Sequence, residues 1–142
     1  MKRVLALCTL LIMASCAPVP APAPPPPPPP PPAAKVFTVY FAWNRSWVGP
    51  QGMAILKAAA DTFRGGGAVT VQVTGYTDTS GSMRYNQRLS VRRAQHVAHI
   101  LAHMGVPWKA MTVAGRGEND LAVPTPNGVR EPRNRRVTVV EG

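Results

Sequence analysis

The run Val36-Phe37-Thr38-Val39-Tyr40-Phe41 is β-branched and aromatic, which predicts a strand. Gln51 to Phe63 then places Met53, Ile55, Leu56, Ala59, Ala60 and Phe63 near helical spacing, between Pro50 and the breaker Gly65-Gly66-Gly67. Val69, Val71 and Val73 alternate with polar residues, the mark of a half-buried strand, and the chain leaves it through Gly75-Tyr76-Thr77-Asp78. Ser80 and Ser82 are candidate caps for a long helix that runs to about Met104 and is ended by Gly105 and Pro107. Met111-Thr112-Val113-Ala114 predicts a third strand and Arg136-Val137-Thr138-Val139-Val140 a fourth. Between them, residues 115–135 hold Pro124, Pro126, Asn127-Gly128 and Pro132, a long loop with room for one helical turn. No internal repeat is visible. The order β-α-β-α-β-(loop/short helix)-β predicts an α+β fold, a two-layer sandwich with helices on one face of a mixed sheet.

The second helix sorts its own arginines. At 100° per residue from Ala94, Val97, Leu101, Met104 and Ile100 fall at about 300°, 340°, 280° and 240°, an apolar arc that must face the sheet. Arg84, Arg88 and Arg92 fall at about 80°, 120° and 160° and point away, whereas Arg93 falls at about 260°, inside the arc. Arg93 shares a row with Asn86, Ser90 and Val97. A guanidinium there is partly desolvated and needs an anion or several acceptors beside it. The outer three read as a solvated face, with a second anion-binding patch as the alternative.

Charge and composition place the domain. Lys2 and Arg3, the apolar run Val4 to Met13 and Ala14-Ser15-Cys16 follow the order of an export signal, and a run of about ten apolar residues is too short to span a bilayer. Met13-Ala14-Ser15-Cys16 resembles a bacterial lipobox, which makes residues 1–15 a signal peptide and Cys16 the acylated first residue of the mature chain; an ordinary signal peptide cut nearby is the alternative. Residues 17–34 contain only Ala, Pro and Val. They read as a stiff polyproline tether, with a ligand for another domain as the alternative; at about 3.1 Å per residue the tether reaches roughly 55 Å. The domain expected over residues 35–142 has no cysteine, and without Lys2 and Arg3 the chain keeps 14 basic against 6 acidic residues, a formal charge of +8. Such a charge on an exported domain suits an anionic cell-wall polymer or lipid headgroup, and export argues against nucleic acid as a partner.

Asp78 stands where a strand turns toward a helix N-terminus, a place where α/β layers put ligands and where the helix end favours a negative charge. From spacing, it is either a loop-capping aspartate or structural partner of Arg93, or half of a zwitterion receptor in which Asp78 takes an ammonium and Arg93 a carboxylate. The other chemistries have less behind them. Glu118 and Asp120 are the obvious carboxylate pair for a hydrolase, but nothing in the sequence aims them at a substrate. His96, His99 and His103 share the helical face opposite the apolar arc with no carboxylate beside them, so adventitious metal binding is expected there and no resident metal or cofactor.

Five stretches taken together resemble the ordered motifs of the OmpA-like peptidoglycan-binding domain. They are Tyr40-Phe41-Ala42-Trp43-Asn44, Gly75 to Gly81, Tyr85 to Ala94, Val113 to Glu118, and Asn134-Arg135-Arg136-Val137. With the lipobox and proline linker, the chain resembles the peptidoglycan-associated lipoproteins of Gram-negative outer membranes. The resemblance implies an OmpA-like sandwich and a non-enzymatic activity: binding the peptidoglycan stem peptide at the zwitterionic end of meso-diaminopimelate, on the periplasmic side of the outer membrane. It carries the ligand-binding aspartate onto Asp78 and the ligand-binding arginine onto Arg93, with Asn44, Thr77, Asn86, Leu89 and Arg135 at neighbouring pocket positions. It also implies attachment to outer-membrane lipid through Cys16 and a TolB-like periplasmic protein as a further partner, so an envelope adaptor working mainly through proteins is the alternative function. Trp43, Asn44 and Tyr76 depart from the family's usual phenylalanine, aspartate and histidine; Asn44 turns a pocket-edge carboxylate into a neutral amide.

Overall fold

A computed structural model describes residues 33–142; the expected signal peptide, Cys16 and all but the last two linker residues lie outside the described residues. The chain forms β1 (Lys35–Tyr40), α1 (Pro50–Thr62), β2 (Val71–Gly75), α2 (Met83–His103), β3 (Met111–Gly115) and β4 (Arg136–Glu141). Short helical turns follow α1 (Phe63–Gly67) and precede β3 (Trp108–Ala110) and β4 (Pro132–Asn134). The four strands make one sheet in the order β1-β4-β2-β3, in which β4 runs antiparallel to both of its neighbours and β2 parallel to β3. This is the expected mixed sheet, with the last strand inserted between the first two.

The alternation read in the sequence sets the layers. Val71 and Val73 of β2 and Val137 and Val139 of β4 point to one face, where Leu56 of α1 and Val97 and Leu101 of α2 cover them, and none of these side chains is more than 1% exposed. On the other face Gln72, Thr112 and Tyr40 are exposed, so both helices lie on one side of the sheet. Two expected boundaries move. Val69 lies outside β2 and is 81% exposed. Phe41 lies beyond β1 and is buried, its N–H donating to the Arg135 carbonyl at 2.8 Å.

Two glycines let α2 settle onto the strand ends. A Cβ on Gly75 would lie 2.1 Å from the Ser90 carbonyl oxygen, and one on Gly115 would lie 2.5 Å from both Ser90 Oγ and Val91 N. The backbones touch at these points, at the C-terminal ends of β2 and β3. The row Asn86, Ser90 and Arg93 is thereby pressed against the strand ends, where all three side chains are buried.

Candidate ligand-binding site

The N-terminus of α2 is built by two serines with different tasks. Ser82 is the cap, its Oγ accepting from the N–H of Tyr85 at 3.2 Å. Ser80 does not cap the helix. Its N–H and Oγ both donate to Asp78 Oδ1, at 3.2 and 2.6 Å. An aspartate closing a turn on the residue two positions ahead competes well with regular structure, which fixes the carboxylate plane here. The other oxygen, Asp78 Oδ2, accepts from Arg135 Nη1 at 3.1 Å in an ion pair whose carboxylate is 4% exposed. Asp78 is therefore paired with Arg135 and closes a turn on Ser80; of the alternatives left open by spacing, the structural pair with Arg93 is not made. β4 explains the substitution. Arg135 immediately precedes this strand, which lies beside β2, and its Nε is also fixed, donating to the Phe41 carbonyl at 3.0 Å.

Arg93 resolves its burial with acceptors. It has no exposed surface, and its Nε, Nη1 and Nη2 donate to the carbonyls of Arg45, Tyr76 and Ala42 at 2.8, 2.9 and 3.2 Å. Its guanidinium also lies 5.1 Å from the centre of the Phe41 ring. One side chain from α2 thus ties the segment after β1 to the exit of β2. Burial pushes this guanidinium down to about 10 from an ordinary 12.5, with nearby Asp78 pulling the other way and Arg135 reinforcing the shift. It stays cationic at neutral pH, at a cost of about 3 kcal/mol of buried charge. Guanidinium has five N–H donors, so the three carbonyls leave two to spare.

These groups line a cavity of about 430 Å³ at the end of α2. Its rim comes from the segment after β1. Asn44 adopts a left-handed backbone (φ 54°), a conformation asparagine tolerates, and its Oδ1 accepts from the Tyr85 hydroxyl. Trp43 Nε1 donates to Ser80 Oγ at 3.1 Å, and the guanidinium of Arg130 lies 3.7 Å from the Trp43 ring centre. Arg130 is delivered by the long loop. Thr79 fastens that loop: its Oγ1 donates to the Pro126 carbonyl at 2.6 Å, and the Gly128 N–H donates to the Thr79 carbonyl at 2.9 Å.

Of the residues singled out in the sequence, Asp78, Arg93, Asn44, Asn86, Leu89 and Arg135 line this cavity. Thr77 does not: it is buried beside it, its N–H donating to the Gly117 carbonyl at 2.8 Å and its hydroxyl unpartnered. Asn86 holds the floor, its Nδ2 donating to the Asp78 carbonyl at 3.2 Å and to Glu118 Oε2 at 2.6 Å. The lining residues absent from the sequence-based set include Ser80, Tyr85 and Arg130. Tyr85 carried a signal, being one residue from Asn86 at the helix start; Arg130, inside an aperiodic loop, carried none.

The arginines of α2 divide as the projection requires, with Arg84, Arg88 and Arg92 exposed and Arg93 buried. Arg92 approaches the cavity indirectly, 5.9 Å above the Tyr85 ring. Glu118 and Asp120 do not work as a pair: Glu118 is held by Asn86, and Asp120 makes an exposed ion pair with Arg116 at 2.8 Å. His96, His99 and His103 are exposed, and His99 packs edge-on against Trp108 with ring centres 5.0 Å apart. Among the described residues no three histidine, cysteine or acidic side chains converge as metal ligands.

The arrangement sets one paired carboxylate and three guanidinium groups around one cavity, which suits a small zwitterionic or anionic group. Comparison with known proteins agrees with the fold. An outer membrane protein of Gluconacetobacter diazotrophicus is 39% identical over 113 residues, covering 75% of this chain and 30% of that protein. The chain spans about a third of the length of the curated relatives it matches. The crystal structure of the peptidoglycan-associated lipoprotein from Burkholderia pseudomallei superposes with a TM-score of 0.69 at 25% identity, covering 75% of this chain and 90% of that one. The cell wall anchor of the T6SS from Pseudomonas aeruginosa gives a TM-score of 0.62 at 28% identity, covering 76% of this chain and 80% of that one. The OmpA family model matches residues 40–135, from the last residue of β1 to the arginine paired with Asp78, and the chain belongs to the OmpA family.

Proposed function

We propose that the cavity binds the stem peptide of peptidoglycan through the zwitterionic end of diaminopimelate, without catalysis. The observation that carries this reading is the placement of Asp78, Arg93 and Arg135 in one small cavity, with the aspartate oriented by Ser80. A zwitterion brings its own counter-charges: its ammonium takes the place of Arg135 at Asp78, and its carboxylate takes the arginine N–H groups so released together with those Arg93 has to spare. The exchange keeps every charge paired, which is what a partly desolvated site requires. Two structural relatives named as a peptidoglycan-associated lipoprotein and a cell wall anchor support the same ligand class. With Cys16 acylated and the proline-rich segment as tether, the chain would tie the outer membrane to the wall from the periplasmic side.

Retention on purified sacculi tests this reading. The chain should sediment with sacculi at 0.15 M salt and be released by the free stem tripeptide; sedimentation that the tripeptide does not reverse would point to nonspecific charge, and no sedimentation to protein partners instead.

A further inference from the structure

Four charged side chains line the cavity, and only Asp78 is acidic; Arg93, Arg130 and Arg135 leave a formal excess of two positive charges. Asn44 contributes an amide at the rim and cancels nothing. A simple zwitterion is electrically neutral and would leave that excess as it found it. Arg93 is surrounded by carbonyls and Arg135 is paired, but Arg130 has no ion pair among the described residues and is exposed. It is nonetheless held in place. Its guanidinium rests 3.7 Å from the centre of the Trp43 ring, Trp43 is fixed through its Nε1 on Ser80 Oγ, and the loop carrying Arg130 is fastened at Thr79.

We propose that Arg130, seated on Trp43, makes this pocket selective for a ligand of net negative charge. Resting on the stem-peptide reading above, that ligand is a stem peptide with a second free carboxylate, outside the zwitterionic end, in place of an amide. A carboxylate offers a guanidinium two acceptors and a full charge, whereas an amide offers one acceptor and no charge. The outer arginines of α2 do not supply this discrimination. They are exposed and do not line the cavity, and salt screens their field over about 10 Å at 0.1 M.

Calorimetric titration of the chain with two probes decides the matter: L-alanyl-γ-D-glutamyl-meso-diaminopimelate, and the same tripeptide amidated at every carboxylate outside its zwitterionic end. The wild type should prefer the free peptide by roughly tenfold, or about 1.4 kcal/mol. Arg130→Gln should cut that preference below roughly threefold, largely by weakening the free peptide, while Arg88→Gln on the outer face keeps it. Equal affinity of the wild type for both probes, or an undiminished preference in Arg130→Gln, overturns the selectivity and leaves the stem-peptide reading standing. If the wild type binds neither probe, both proposals fall.

Discussion

Replacing Arg93 should reverse the usual order of conservative and drastic substitution. Its three hydrogen bonds to carbonyls involve a charged donor, and at about 1.5 kcal/mol each, the low end for such bonds, they contribute roughly 4–5 kcal/mol. Against this stands the cost of the buried charge, about 3 kcal/mol from a guanidinium pushed down to about 10. Arg93→Met loses the bonds, but it also removes the charge and keeps an apolar stem against Phe41, so the net loss is about 2 kcal/mol. Arg93→Lys keeps the charge, makes at most one of the three bonds, and desolvates a more strongly hydrated ammonium, for a loss of about 4 kcal/mol. Urea unfolding followed by circular dichroism measures both. A Lys variant as stable as the Met variant, or more so, would refute the claim that Arg93 is held by carbonyl geometry rather than by charge alone.

Gly115→Ala should destabilise the domain by about 2–3 kcal/mol, because its Cβ meets backbone and side-chain atoms of α2 that cannot move alone. Thermal unfolding reads the loss, and ligand affinity should fall with it as the Asn86–Arg93 row lifts from the strand ends. Glu141 is 2% exposed with neither carboxylate oxygen partnered, and burial raises its pKa despite Lys35 nearby. Its native pKa lies above the unfolded value, so the penalty is full above the native pKa and disappears as pH falls toward the unfolded one. Glu141→Gln should therefore raise the Tm at pH 7 by a few degrees, and the gain should vanish by about pH 4 in a pH series of thermal melts.

Much of this fold was legible in the chain because its signals are local. The valine alternation of β2 and β4 and the apolar arc of α2 fixed the faces, and the arc alone separated Arg93 from its exposed neighbours. Pairing was less legible. Asp78 and Arg135 are 57 residues apart, and they meet because β4 inserts between β1 and β2, an order that periodicity does not encode. Ser80 and Ser82 are equivalent as candidate caps by residue type; the turn that Asp78 closes takes Ser80 and leaves Ser82 to the helix. Glu141 continues the inward row of Val137 and Val139 in β4, yet its charge argued for solvent. Arg130 was hidden because loop residues have no repeat to place them.

The central claim is that Asp78 and its arginines form one receptor for a zwitterion, and titration with the free stem tripeptide tests it most directly. Asp78→Asn keeps the side-chain shape and the Ser80 contact but removes the charge that an ammonium needs. The account predicts wild-type binding, a loss of at least about 2 kcal/mol in Asp78→Asn, roughly thirtyfold in affinity, and near-wild-type affinity in Arg88→Gln. Equal weakening by Asp78→Asn and Arg88→Gln, or an Asp78→Asn variant that binds as well as the wild type, would contradict it.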